Sequence, residues 1–254
     1  MRIDCLVPGW PPVPGVRAGF TLRTGGVSQG CYAALNLGTH VGDAPEAVAQ
    51  NRRLLRQALS LPGEPLWLEQ VHGTTVLDAD RFDRQAAAPA PPPRADAAVS
   101  RTPGTVLAVL VADCLPVLLA ARDGAAIGVA HAGWRGLAGG VLEATVGALA
   151  ADGPLQAWLG PAIGAAHFEV GTEVRAAFVA HDPAAAQAFE INARGRWQAD
   201  LTALARARLA ALGVECVTAE ASCCYAEPLR FFSFRRDGVT GRMAALIWRQ
   251  ASQC

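Results

Sequence analysis

Two histidines and one cysteine stand where apolar segments end in turns. His131 opens the segment His-Ala-Gly-Trp-Arg-Gly directly after an apolar run, Cys114 follows another apolar run, and His72 lies upstream in Glu-Gln-Val-His-Gly. Histidine and cysteine are common zinc ligands, and three protein ligands leave a fourth position for water or substrate. The three side chains therefore predict a catalytic metal site, although the same set could supply a thiolate nucleophile and its base.

Residues next to this trio are candidates for proton transfer and for contacts to a substrate. Asp113 lies at a strand end, where burial without a partner would be costly, so it is a candidate proton shuttle, with Glu69 as the alternative. Strand alternation puts Gln70 on the same face as His72, from which it could read a base edge or orient a metal-bound water. Asp96 is a further candidate.

The residues after His131 suggest how a flat, charged ligand could be held. Trp134 could form an aromatic wall for a planar ring, and it could equally pack in the core. Arg135 carries a planar fork of donors that suits phosphate or carboxylate, and it could equally form a surface ion pair. A helix start at this point would add an anion site.

Composition sets limits on the class of protein. The chain has 254 residues, 52% of them hydrophobic, with 22 basic and 22 acidic side chains. We interpret it as a single globular domain over residues 1–254. The balanced charge argues against nucleic acid as a partner, and no apolar run reaches the about 18 residues of a membrane span. Seven scattered cysteines and no visible signal peptide favour the cytoplasm. The oligomeric state is not predictable.

The order of apolar runs and turns predicts the elements that position the trio. Strands are expected at 106–111, 117–121, 125–130, 231–234 and 243–248, and helices at 137–150, 172–180 and 201–212. Pro116 should keep its strand out of a central place in a sheet. Strands and helices alternate irregularly, which predicts an α/β (α+β) fold: a single layered domain with a mixed β-sheet core flanked by helices.

At these residues the chain resembles a family long called the laccase-domain or multicopper polyphenol oxidase family. Its members are now described as zinc-dependent purine nucleoside phosphorylases with adenosine deaminase activity. The resemblance covers nearly the whole chain, and it rests on ordered segments at 24–28, 35–43, 51–52, 69–73, 95–97, 112–116, 130–136, 160–164 and 231–242. One departure is Cys224, where relatives often carry Thr.

The resemblance implies a cofactor, a reaction and partners. The family's metal ligands fall on His72, Cys114 and His131, so zinc is the expected cofactor, and copper could bind in vitro. The implied partners are purine nucleosides (adenosine, inosine, guanosine and, by extension, methylthioadenosine) and phosphate, which yield base and ribose 1-phosphate. Arg23 and Arg135, with Arg236 as a weaker choice, are the phosphate candidates.

Three other functions remain open from the residues alone. A cysteine-dependent amide hydrolase would use Cys114 as nucleophile and His131 or His72 as base. A copper-dependent phenol oxidase is a second alternative, and a non-enzymatic metal-binding module a third. True multicopper chemistry is not expected, because it needs many imidazole ligands and the chain has five histidines with no His-x-His pair.

Overall fold

Two β-sheets packed face to face form the centre of the protein, whose computed structural model describes residues 3–83 and 91–250. The strands are β1 Cys5–Leu6, β2 Val16–Thr21, β3 Val76–Asp78, β4 Ala97–Ser100, β5 Val106–Val111, β6 Leu115–Ala121, β7 Ile127–Ala132, β8 Leu155–Leu159, β9 Glu169–Val170, β10 Phe189–Ile191, β11 Trp197–Ala199, β12 Cys216–Ala219 and β13 Met243–Arg249. The α-helices are α1 Pro45–Ala58, α2 Trp134–Gly139, α3 Val141–Leu149, α4 Thr172–Val179, α5 Leu201–Ala211 and α6 Phe234–Asp237. Short 3-10 helices occupy Gly30–Tyr32, Ala165–His167 and Pro183–Ala188.

The sheets differ in size and in strand direction. One sheet has the order β1-β2-β13-β5, the second has the order β12-β8-β6-β7-β4-β3, and β10-β11-β9 form a small third sheet. In the six-stranded sheet the β12–β8 and β3–β4 pairs are parallel and the other pairs are antiparallel. The expected mixed β-sheet core flanked by helices is therefore confirmed, as part of a two-sheet sandwich.

Period-two alternation along the strands separates the layers. In β5, Leu107 and Val109 face the six-stranded sheet, whereas Val106 and Ala108 belong to the cluster that packs against α1. The opposite face of the six-stranded sheet packs against the other helices through a large apolar cluster that includes Leu204 of α5. The layers thus run helix, sheet, sheet, helices.

Three local expectations were wrong. The helix expected at 137–150 is two helices, because Gly140 has a φ of 100° and separates α2 from α3. The strand expected at 231–234 does not form, and Phe234 instead begins α6. Pro116 lies in β6, in the middle of the six-stranded sheet. The ladder with β8 ends at Val117 and Leu159, and the Pro116 carbonyl still accepts from Gly160, so the missing N–H falls at the end of that ladder.

The path of the chain brings the turns that carry His72, Cys114 and His131 to one end of the sandwich. β5 belongs to the four-stranded sheet and β6 to the six-stranded sheet, so residues 112–114 carry the chain from one sheet to the other. The adjacent strand β7 ends at the same place. In the part of the chain that is described, no helix is both long enough and apolar enough to span a membrane.

Candidate metal centre

His72, Cys114 and His131 meet at this end of the sandwich. Their candidate ligand atoms all lie within 4.8 Å of one another, and the Cys114 Sγ is 3.8 Å from the His72 Nε2. Tetrahedral zinc with ordinary bond lengths needs a sulfur–nitrogen separation of about 3.6 Å. Among the residues described, this is the one group of three or more His, Cys, Asp or Glu side chains with such spacing. The donor set therefore fits a single zinc ion.

Asp96, fully buried, organises two of the ligands. Its Oδ1 accepts from the His131 Nδ1 (2.9 Å) and the His72 N–H (2.8 Å), and its Oδ2 accepts from the Gly73 N–H (2.7 Å) and the Val71 N–H (3.1 Å). With Nδ1 used as a donor, the Nε2 of His131 is left to face the ligand cluster. Burial raises the pKa of Asp96, but the hydrogen bonds outweigh this and hold it below its usual value.

Cys114 and His131 polarise each other. Burial alone would raise the pKa of the Cys114 thiol, but the charge and hydrogen bond of His131, helped by His72, bring it down to about 6. Burial alone would lower the pKa of His131, whereas Cys114 and Asp96 raise it to about 9. Both shifts favour the thiolate form of Cys114, which is the form that binds metals and attacks electrophiles.

The backbone around the ligands is constrained. His72 has a φ of 60° and Asp113 a φ of 95°, in the left-handed region that costs a non-glycine residue energy and recurs at functional sites. A Cβ on Gly133 would lie 3.0 Å from the Cδ2 of His72 and 3.1 Å from the Sγ of Cys114. Any larger residue at this position would therefore press on both side chains, which would have to shift by a few tenths of an ångström.

A cavity of about 250 Å³ opens onto the cluster. Its lining is formed by His40, Gln70, His72, Leu110, Val111, Ala112, Cys114, His131, Phe234 and Arg242. Gln70 and His72 both line it, as expected, but residues 70–72 are not a strand and His72 has a φ of 60°, so strand alternation is not the cause. The amide of Gln70 is held at both ends by Leu110, whose carbonyl accepts from its Nε2 (2.8 Å) and whose N–H donates to its Oε1 (2.7 Å).

Arg242 is the cation of this cavity, and the sequence did not single it out as a site residue. Its Nη1 donates to the carbonyls of Thr240 and Gly241. Its Nε and Nη2 have no hydrogen-bond partner among the described residues. Burial lowers the pKa of the guanidinium, and the charges of Cys114 and Asp113 oppose that shift. The motif Thr-Gly-Arg before the last strand was the available signal.

The three arginines singled out from the sequence do not line the cavity. Arg23 donates to the carbonyls of Ala33 and Pro228, and Arg135 is exposed, with its guanidinium 4.4 Å from the ring centre of Trp134. Trp134 itself packs against the core cluster under the helices.

Arg236 uses all five of its N–H donors within the protein. They bond the carbonyls of residues 224, 225 and 231 and both carboxylate oxygens of Asp237. It therefore has no donor left for phosphate in this structure.

Asp113 and Glu69, the two shuttle candidates, are also not among the residues that line the cavity. The Oδ2 of Asp113 accepts the backbone N–H of Arg235 at 2.6 Å, its Oδ1 is buried without a partner among the described residues, and burial raises its pKa. Glu69 pairs with Arg94 at 3.6 Å. Cys224, the position that departs from the family pattern, is buried in the core between the sheets.

Comparison with known proteins identifies the family. Residues 17–250 match the family model described as multi-copper polyphenol oxidoreductase laccase. "Purine nucleoside phosphorylase YfiH" of Escherichia coli is 52% identical over 96% of this chain and 98% of its own length. "Purine nucleoside phosphorylase" of Xylella fastidiosa (strain Temecula1) is 52% identical over 96% of each chain.

Solved structures agree with the fold. A crystal structure of a Neisseria meningitidis protein has a TM-score of 0.90 at 49% identity and covers 98% of this chain and 100% of its own. YlmD from Geobacillus stearothermophilus has a TM-score of 0.88 at 34% identity, covering 97% and 96%. The chain therefore belongs to the multi-copper polyphenol oxidoreductase laccase family, together with relatives that are named purine nucleoside phosphorylase.

Proposed function

We propose that this protein is a zinc-dependent purine nucleoside phosphorylase that also deaminates adenosine. Its substrates would be adenosine, inosine, guanosine and methylthioadenosine, which phosphate cleaves to the base and a ribose 1-phosphate. The observation that carries the proposal is the cluster of His72, Cys114 and His131 beside a cavity whose lining includes one arginine, Arg242. The names of relatives about half identical to this chain support it.

His72, Cys114 and His131 would hold the zinc, with Asp96 fixing the tautomer of His131. When bound, zinc acts as a Lewis acid and makes water a nucleophile near neutral pH, which suits deamination at the amino-bearing carbon of a purine. The six cysteines among the described residues are free thiols, which supports the cytoplasm as the place of action.

Arg242 is our preferred phosphate ligand, in place of Arg23, Arg135 or Arg236. It lines the same cavity as the metal ligands and has donors to spare, in the planar fork that matches phosphate oxygens. His40 lies beside it in the cavity lining. Partial burial, followed by the charges of Arg242 and Arg52, lowers the pKa of His40 and favours the neutral ring, which can accept a hydrogen bond from a sugar hydroxyl.

A cysteine hydrolase is the second candidate, and one observation favours it. Asp96 bonds the His131 ring, and the other ring nitrogen lies within 4.8 Å of the Cys114 Sγ, an order that resembles a nucleophile, its base and the group that orients the base. A thiolate held by zinc would be a poor free nucleophile, so metal content separates the two functions.

The first test measures metal and turnover together. We expect about one zinc per chain in protein purified without added metal, and base release from nucleosides only with phosphate. Cys114→Ser should remove most zinc and activity while the protein stays folded by circular dichroism. A metal-free protein that hydrolyses amides would support the cysteine hydrolase, and a zinc-filled protein without turnover would support a binding module.

The second test assigns the phosphate site. Arg242→Lys keeps the charge and loses the fork, so phosphorolysis should fall about 10- to 100-fold. Deamination should fall less, because water replaces phosphate in that reaction. Arg135→Lys is the matched control, because Arg135 is exposed on α2 and does not line the cavity. Equal loss of both activities in the Arg242 variant, or a selective loss in the Arg135 variant, would contradict our assignment.

A further inference from the structure

Phe234 stands at the rim of the cavity that contains the metal ligands. It is 57% exposed and lines the cavity together with His72, Cys114 and His131. Single exposed apolar residues are ordinary on protein surfaces. This ring differs from them because it lines a polar cavity, beside the candidate metal ligands and Arg242.

The ring sits on a rigid support. Phe234 is the first residue of α6, whose N-cap Ser233 accepts from the Arg236 N–H with its hydroxyl. Arg236 ties this turn to three backbone carbonyls, and the Nη1 of Arg235 donates to the Glu169 carbonyl. A surface that is ordered before binding loses little entropy when a ligand arrives.

The support is also tied to the metal-ligand segment. The carboxylate of Asp113, next to Cys114 on the crossing between the two sheets, accepts the Arg235 N–H at 2.6 Å. This bond spans 122 residues of sequence and connects the first turn of α6 to the metal site. A shift of Asp113 would therefore move Phe234 relative to Cys114.

We propose that Phe234 is the residue against which the purine base stacks, and that Asp113 is the positioning residue that holds it there. The inference rests on the proposed function and adds where the base binds. Stacking needs a flat, accessible face, and every purine has one. The guanidinium of Arg242 lies over the ring at 5.8 Å from its centre, at the outer limit of a cation–π contact. Phe234 is nevertheless 57% exposed, so part of the ring is accessible to a base while the phosphate ligand stands next to it.

The test compares ligands with and without a base. In zinc-loaded protein and phosphate-free buffer, Phe234→Ala should weaken inosine binding about 5- to 150-fold, the range for loss of one base–aromatic stack. Binding of ribose 1-phosphate, which has no base, should change less than twofold. Phe234→Tyr should restore inosine binding. Val239→Ala is the matched control, because Val239 is 58% exposed in the same segment and does not line the cavity.

The outcomes separate this inference from the proposed function. If the wild-type protein binds inosine and Phe234→Ala binds it equally well, or if both ligands weaken equally, the stacking role is refuted and the proposed function stands. If the wild-type protein binds and cleaves no nucleoside, both fail.

A second pair of variants tests Asp113. Asp113→Asn keeps an oxygen that can accept the Arg235 N–H, and Asn tolerates the positive φ. It should bind inosine within about threefold of wild type, whereas Asp113→Ala should lose inosine binding as Phe234→Ala does and keep ribose 1-phosphate binding. If instead the two variants bind inosine alike and lose kcat alike, Asp113 acts in proton transfer and its positioning role is refuted.

Discussion

Asp96→Asn should damage stability and metal binding at once. The carboxylate accepts four hydrogen bonds, two on each oxygen, from the His131 ring and the backbone of residues 71–73. An Asn side chain has one oxygen and one NH₂ group. In either orientation the NH₂ group takes the place of an oxygen that accepts two hydrogen bonds, so it faces two N–H donors. Hydrogen bonds to a charged group are each worth about 1.5–3 kcal/mol, and losing two should therefore cost about 3–6 kcal/mol of the free energy of unfolding.

The metal should respond because the same carboxylate orients His131 and the loop of His72. Loss of a partner behind a metal ligand typically weakens metal affinity by about 10- to 100-fold. Urea unfolding of the chelator-treated protein would measure the stability, and competition with a zinc-binding dye would measure the affinity.

Asp80→Asn is the matched control. The Asp80 carboxylate also accepts several local hydrogen bonds, from the Ser100 hydroxyl (2.6 Å) and the Arg101 N–H (2.7 Å), and it does not line the metal cavity. This variant should lose stability and keep its zinc affinity. A zinc affinity of Asp96→Asn within twofold of wild type, or a stability loss below about 1 kcal/mol, would refute our account of Asp96.

Four further outcomes are expected. Gly133→Ala should weaken zinc binding at least tenfold in a chelator competition, whereas Gly147→Ala, in open space on α3, should keep zinc and stabilise the fold by about 0.5–1 kcal/mol in urea unfolding. Ala150→Gly should also stabilise by roughly 0.5 kcal/mol in thermal unfolding, since Ala150 ends α3 with a φ of 44°. Burial raises the pKa of Asp80, but the hydrogen bonds to its carboxylate outweigh burial and lower the pKa. Urea midpoints should therefore show that the wild type is more stable than Asp80→Asn above about pH 4. This difference in stability should disappear as the pH falls through the lowered pKa. Reconstitution with copper should load about one ion per chain, and three or more with sustained oxygen reduction would restore multicopper chemistry.

The grouping of His72, Cys114 and His131 was predictable because its signals are local. Each of the three stands beside an apolar run or a Gly turn. Gln70 lines the same cavity as His72, as expected, although residues 70–72 do not form a strand. The strands next to Cys114 and His131 were recognisable from their apolar runs for the same reason.

The rest of the site depends on contacts that no local pattern encodes. Asp96 meets His131 across 35 residues and Asp113 meets Arg235 across 122. Tertiary contacts also decide which arginine has N–H donors left for a ligand. All the donors of Arg236 are used within the protein, whereas Arg242 lines the cavity. A strand was predicted at Phe234 because aromatic runs favour strands. In the structure Ser233 is an N-cap, and Phe234 begins a helix.

The position of β13 has a consequence for how the protein is made. This strand lies between β2 and β5, although it is among the last segments in the chain. While the ribosome is still adding residues before Met243, β2 and β5 cannot pair with it, and each offers an open edge to other nascent chains. β13 begins directly after Arg242, so Arg242 reaches the cavity only when β13 has paired with β2 and β5. Amino-terminal fragments that end before β13 should therefore aggregate during synthesis and need chaperones that shield strand edges.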